Sequence, residues 1–167
     1  MGLLIRKFEV EINCSGLAAP QIGISKRALI FAVEDNPIIK KWRPDLTQTL
    51  PKTIWINPSW TPVGDNMHED FEACFSVGGV AAPVMRYTNI IYEAYDLDGN
   101  LITGTATGFL ARVIQHETDH LNGKLYTMYV SPEQIMNIED YRRQRREAME
   151  KEALEKEVMN QEEKEAL

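Results

Sequence analysis

The sequence predicts a chain built of both strands and helices, one globular unit with a helical tail, and three observations carry that reading. Short apolar runs bounded by proline and glycine read as strands, two of them joined by a hairpin turn. The segment Gln115-His116-Glu117-Thr118-Asp119-His120 places two polar rings at helical spacing. From Arg142 onward the composition shifts to charge with sparse apolar positions. At 167 residues, 44% of them hydrophobic, the chain can bury a sizeable core.

Taken in order, residues 3–12 admit two readings. Ile5, Phe8 and Ile12 repeat at helical spacing, while 8–12 alternates like a strand. Cys14-Ser15-Gly16-Leu17-Ala18-Ala19-Pro20-Gln21-Ile22-Gly23 is a small-residue stretch that lets the backbone approach another group closely. Ala28–Val33 is a buried strand, and 34–52, with Pro37, Pro44 and Pro51, reads as a long surface loop. A second strand spans 53–57 and is ended by Pro58. Asn89–Tyr95 is a third, followed by a turn at 96–100 and a partner strand near 101–106. A helix over 107–121 stops at Asn122-Gly123. Ser131 opens a final helix with Pro132 at its first position and Gln134 three residues after the cap. Ile135, Met136, Ile138 and Tyr141 are placed to dock it on the core. Four arginines between Arg142 and Arg146 make either a solvated helix face or an electrostatic patch for a partner.

The formal charge of −7, averaged over the molecule, argues against general affinity for nucleic acid or an anionic membrane, and no direct DNA binding is expected. No apolar run approaches the ~20 residues of a membrane span, and no secretory h-region is present at the start. Cys14 and Cys74 are far apart; a reduced, cytoplasmic chain is the expectation over a single disulfide.

His116 and His120, four residues apart, leave one helix face about one turn apart, which suits two ligands of a first-row metal. Glu117 between them can reach a water on such a metal as proton acceptor. The plain alternative is a helix face that happens to carry two polar rings. Cys74, in Glu72-Ala73-Cys74-Phe75-Ser76, would complete a His2Cys set with a fourth position for water, as a catalytic site requires. Taken alone it reads equally as a small buried apolar residue.

Gly16-Leu17-Ala18-Ala19-Pro20-Gln21, Glu72-Ala73-Cys74-Phe75-Ser76 and His116-Glu117-Thr118-Asp119-His120 resemble, in order, the three signature motifs of peptide deformylases. The likeness covers roughly residues 3–130, leaving 131–167 as a charged C-terminal helix. The resemblance implies an α+β fold, with antiparallel strands packed around a central metal-binding helix. It implies hydrolytic removal of the formyl group from formyl-methionine at the start of nascent polypeptides. One divalent ion on Cys74, His116 and His120 is implied, ferrous iron natively, with zinc, nickel or cobalt able to use the same ligands. By the same resemblance Glu117 is the general acid–base, and the Gln21 amide with the Phe75 backbone N–H forms an oxyanion hole. Ser15 and Gly16 would bind substrate backbone, and Phe109, Val113 and Phe75 would surround the methionine side chain. The C-terminal helix is implied as a ribosome contact.

Four departures accompany the likeness. Cys14 stands for the first glycine of the opening motif, and Ala73 for the glycine before the ligand cysteine, a difficulty if that residue needs positive φ. The family's usual arginine after the cysteine motif has no counterpart at Ala81 or Ala82. The family also carries about thirty more residues before the first motif. That shortness suggests a shortened product or a relative whose cleft lacks one wall. Two other functions therefore stand beside the deformylase: another metallo-amidase or peptidase on the same scaffold, and a weakly active deformylase-like binding protein.

Overall fold

The computed structural model describes residues 1–10 and 15–165. Its first element settles the ambiguity for residues 3–10, while Glu11 and Ile12 lie outside the described residues. Gly2–Val10 is a helix, α1, because Leu4 and Phe8 fall on one face and are buried with Leu17, Ala19 and Ile30. Full burial of each such side chain is worth roughly 1.5–3 kcal/mol, which decides between two local patterns of similar strength.

The fold is α+β and its strands are antiparallel. One sheet has the order β1 (Gly16–Ala18), β2 (Ala28–Val33), β3 (Leu50–Pro62), β6 (Asn89–Tyr95), β7 (Leu101–Thr107). A second is the hairpin β4 (Met67–Cys74) and β5 (Val77–Tyr87), with short β8 (Met136–Asn137) along β5. Helix α3 (Gly108–Leu121) packs on β1, β2, β3, β6 and β7 of the first sheet and on β5 of the second. Its Leu110, Ala111 and Ile114 join Leu29, Phe31 and Trp55 in the main core. Phe31 meets Trp55 edge-on at 4.9 Å, and Trp55 stacks on Tyr92 at 4.5 Å.

Several boundaries differ from the sequence expectation, each for a local reason. The stretch 34–52 is not all loop: α2 (Pro37–Trp42) begins at proline, whose missing N–H costs nothing in a first turn, and β3 already starts at Leu50. Pro58 does not end its strand. The β3–β6 register shifts between Ile56 and Ser59, and Asn57 takes φ 49°, so the proline falls at an irregularity where no ladder N–H is required. Ser131 opens only a single 3-10 turn, Pro132–Gln134. Met136 and Asn137 then pair with Ala81 and Val80, and α4 (Ile138–Glu165) starts after them. The Asn137 Oδ1 accepts from the Glu139 N–H at 2.8 Å, so Asn137 supplies the cap. The β4–β5 hairpin is an element the sequence patterns did not mark.

Helix α3 is held at both ends by other parts of the chain. At its start the Asp45 carbonyl accepts from the Phe109 N–H at 3.2 Å, and Gln48 Oε1 accepts from the Thr107 N–H at 2.7 Å. Gly108 sits at φ 53°, and a Cβ there would lie 2.3 Å from the Asp45 carbonyl oxygen, so glycine is required twice over. At its end the Arg27 guanidinium donates to the Leu121 carbonyl at 3.2 Å, where a cation suits the helix dipole.

Candidate active site

On α3 the side chains of Arg112, Gln115, His116 and Asp119 follow one another at helical spacing, a polar stripe that includes buried charges. Such groups persist in an interior only if paired, and the hairpin β4–β5 supplies the partners. Gln115 grips Tyr87 through both its backbone groups, accepting from N–H at 3.1 Å and donating to the carbonyl at 2.8 Å. Arg112 donates to Glu72 Oε1 at 2.9 Å and to the carbonyls of Val84, His68 and Asp70. Arg86 donates twice to Glu72, at 2.9 Å each, and to Asp119 at 2.6 Å.

Glu72 is the hub. Its Oε2 lies 2.8 Å from His116 Nδ1, which orients that ring and leaves Nε2 for another partner. Burial opposes its ionisation, but the hydrogen bonds from His116 and Arg86 hold its carboxyl far below the usual carboxylate range. Glu72 and Cys74 alternate along β4, so both side chains leave the same face of the strand. Cys74 ends β4 immediately before the two-residue turn formed by Phe75 and Ser76. Ala73 lies in the strand and is not among the described residues with positive φ, so alanine is tolerated there.

Ligand atoms of Cys74, His116 and His120 all lie within 4.8 Å of one another. Cys74 Sγ is 3.3 Å from His120 Nε2, and the two imidazole rings stand at 83° with centroids 4.9 Å apart. One thiolate and two imidazoles converging on a point form a donor set that fits a single first-row divalent ion. Burial works against the Cys74 thiolate, yet hydrogen bonding to His116 and His120 pulls its pKa down to about 5. His116 is the other half of that pair: burial lowers its pKa, and bonds to Cys74 and Glu72 overcome this and raise it to about 10.

Glu117 is 5% exposed, and its Oε2 has no partner among the described residues. Burial pushes its pKa up to about 7, against the pull of His116 and His120. Its side chain lies against Gly16 of the edge strand β1, so closely that a Cβ at Gly16 would be 2.5 Å from Glu117 Cγ. Only glycine admits the strand this near the carboxylate.

Gln21 follows in the 3-10 turn Ala19–Ile22. Its Oε1 accepts from the Ala18 N–H at 2.7 Å, which turns Nε2 toward Cys74 Sγ at 3.4 Å and Ser76 Oγ at 3.1 Å. A cavity of about 270 Å³ opens beside these groups, with Ser15, Gly16, Phe109 and Val113 in its lining. Phe75 also lines it, but its ring is 56% exposed and sits at the mouth.

The structure thus brings Gln21, Cys74, His116 and Glu117 together in the lining of one cavity, with His120 against Cys74. Cys14 lies outside the described residues. Ala81 and Ala82 are fully buried in β5, and Arg86 is committed to Glu72 and Asp119, so neither region supplies a guanidinium to the cavity. Sequence reasoning missed Arg43, Phe71, Arg112 and Tyr141 among the lining residues. Arg43 follows α2, in a stretch whose prolines masked any sign of a buried role. For Glu72 a signal existed, since it stands two residues before the cysteine on a strand.

Fold and site together are those of a hydrolase with a His-Glu-x-x-His helix and a cysteine beside it, a group of donors suited to a metal ion. The family model of the polypeptide deformylases matches residues 3–135. Peptide deformylase 2 of Rickettsia conorii is 57% identical over 150 residues, covering 90% of this chain and 74% of the relative. Peptide deformylase 1 of Nitrosomonas europaea is 48% identical over 120 residues, covering 72% of this chain and 65% of the relative, so the chain spans under two thirds of that protein. Among solved structures, the class I type b peptide deformylase of Acinetobacter baumannii bound to Met-Ala-Ser superposes with a TM-score of 0.66 at 32% identity. That match covers 77% of this chain and 80% of the other. The chain belongs to the polypeptide deformylase family.

Proposed function

We propose that this chain removes the N-terminal formyl group from formyl-methionine of newly made polypeptides, with one divalent ion held by Cys74, His116 and His120. The carrying observation is the convergence of the three donors, the buried Glu117 carboxylate and the Gln21 amide beside a cavity bordered by the edge strand β1. When bound, such an ion acidifies water and polarises a carbonyl oxygen. Ferrous iron is favoured by the family likeness; zinc, nickel and cobalt suit the same donors.

The chain's own residues supply the remaining steps. The edge strand at Gly16 lies alongside an extended peptide, and the cavity receives its first side chain. Glu117, whose Oε2 has no hydrogen-bond partner among the described residues, takes the proton from water as oxygen adds to the formyl carbon. It passes that proton to the amine nitrogen as the C–N bond breaks, releasing formate and a free amino terminus. Gln21 Nε2 and the Phe75 N–H receive the negative charge that develops on the formyl oxygen. One such donor is typically worth ~10²–10³ in turnover. Glu72 keeps the His116 ring in place and Ser76 keeps the Gln21 amide in place.

In this reading residues 1–130 form the catalytic part, and 131–167 an accessory segment that carries α4. Among the described residues no helix is long and apolar enough to cross a membrane, and the proposed substrate places the enzyme in the cytoplasm. The outer face of α4 is proposed to approach the ribosome. Arg142 and Arg143 pair with Glu139 and Asp140 one turn back, and all four are largely exposed. Exposed pairs of this kind are weak and readily exchanged for phosphate. Replacing Arg142, Arg143 and Arg146 with alanine should abolish cosedimentation with ribosomes; unchanged cosedimentation would sink this part.

The enzymatic reading is tested on protein purified without oxygen. Formyl-Met-Ala-Ser should be deformylated, acetyl-Met-Ala-Ser and unblocked Met-Ala-Ser should survive, and metal analysis should find one ion per chain. Cys74→Ser should lose that ion. Hydrolysis of the acetyl or unblocked peptide instead would point to a different amidase. Metal retained in Cys74→Ser but lost in Cys14→Ser would overturn the ligand set.

A further inference from the structure

We infer that the C-terminal helix, through Tyr141, forms one wall of the side-chain cavity and sets its preference for a long, unbranched first side chain. The inference rests on the deformylase reading for its substrate but on separate residues for its geometry. Tyr141 is the second aromatic of a stack: its ring lies over Phe71 with centroids 4.7 Å apart and planes at 23°. Phe71 precedes Glu72 on β4 and lines the same cavity as Tyr141, Phe109 and Val113. Arg145 is one helical turn beyond Tyr141, so the two leave α4 on one face. Its Nη2 donates to the Trp42 carbonyl at 3.1 Å.

That carbonyl belongs to the residue before Arg43. Arg43 lies 4.4 Å over the Phe109 ring and is fixed by Asp45 at 3.0 Å and Asp70 at 2.8 Å. Helix α4 is therefore latched to the segment that covers Phe109, another aromatic of the cavity lining. Phe71, Phe109, Tyr141 and Val113 form the apolar part of a lining that also includes Arg43 and Arg112, both held by carboxylates, and a flexible chain with a polarisable sulfur suits that apolar part. A methyl side chain would leave the rings without contact. Burial raises the Tyr141 phenol pKa above its ordinary value, consistent with a ring enclosed by the fold rather than one on an outer helix face.

The test compares wild type, Tyr141→Ala, Tyr141→Phe and Arg145→Ala, each metal-loaded. Substrates are formyl-Met-Ala-Ser and formyl-Ala-Ala-Ser, and binding of unformylated Met-Ala-Ser and Ala-Ala-Ser is measured by calorimetry. Tyr141→Ala should raise KM for the methionine peptide by ~10-fold, the scale of losing apolar contact in a pocket, with kcat nearly unchanged. The alanine peptide should move less than about twofold. Tyr141→Phe should behave as wild type, and Arg145→Ala should shift the same ratio in the same direction. Equal losses on both peptides, or a loss confined to kcat, would overturn the inference and leave Tyr141 a structural residue. If Tyr141→Ala fails to fold, Tyr141→Leu and Arg145→Ala decide by the same ratio. A wild type that deformylates neither peptide would end the proposed activity, and the binding arm would still judge the wall. Tighter binding of Met-Ala-Ser than Ala-Ala-Ser, levelled by the Tyr141 variants, upholds it; equal binding in wild type overturns it.

Discussion

Replacing Glu117 with glutamine will leave the fold and the metal in place and lower turnover at least ~10²-fold, the usual scale for losing a general acid–base. The side chain lies against Gly16 and is enclosed, so an amide of the same shape fits the same space. Its Oε2 has no protein partner to lose among the described residues, which is why stability should hardly change. The chemistry is another matter, since an amide cannot carry a proton from water to the departing amine. The check is metal content and kcat on formyl-Met-Ala-Ser, measured together. A metal-loaded Glu117→Gln protein that deformylated at near wild-type rate would remove Glu117 from the mechanism. Binding of a metal-chelating hydroxamate should fall much less than turnover.

The largest effect on stability is expected at Glu72. Two guanidiniums, Arg86 and Arg112, and one imidazole meet on this carboxylate; Glu72, Arg86 and Arg112 are each 6% exposed or less, and His116 is 11% exposed. Removing one member of a buried ionic cluster leaves the others charged and unpaired, at a cost of about 3–5 kcal/mol. Arg86 retains Asp119, and Arg112 retains three carbonyls, so the loss is partial rather than total. Glu72→Ala should therefore lower the denaturation midpoint steeply, and metal affinity should fall as well because His116 loses its orienting partner. Chemical denaturation of the metal-free protein isolates the first effect and metal titration the second. A stability change below ~1 kcal/mol would show that the cluster contributes little beyond its geometry.

The legibility of this chain divides by sequence distance. Patterns that close within one element were readable: the paired histidines on α3, the apolar run of β2, the turn at 96–100 and the stop at Asn122-Gly123. Motifs in fixed order added the family, and the comparisons bear it out. The β4–β5 hairpin escaped because its outward positions are mixed and its inward ones are occupied by Glu72 and Arg86, charged groups that blur an alternating apolar pattern. Pro58 misled because a proline is compatible with a strand wherever the register shifts, and register is not a local property. Ser131 carried a good capping signal that was used for one turn only, because Met136 and Asn137 gained more from pairing with β5.

By itself the sequence determined which chemistry this protein can hold: two imidazoles and a carboxylate on a single helix, a thiol in a second motif and an amide in a third. Their spacing within each motif is set by the 3.6-residue turn and the two-residue strand repeat, which need no tertiary information. Only the tertiary structure decided what surrounds those groups. The Glu72 cluster joins residues 14, 40 and 44 positions apart, and the wall formed by Phe71 and Tyr141 joins β4 to a helix at the far end of the chain. Such contacts follow from how sheets and helices pack to exclude water from apolar faces, and the partners of a buried charge or ring are whichever residues that packing delivers.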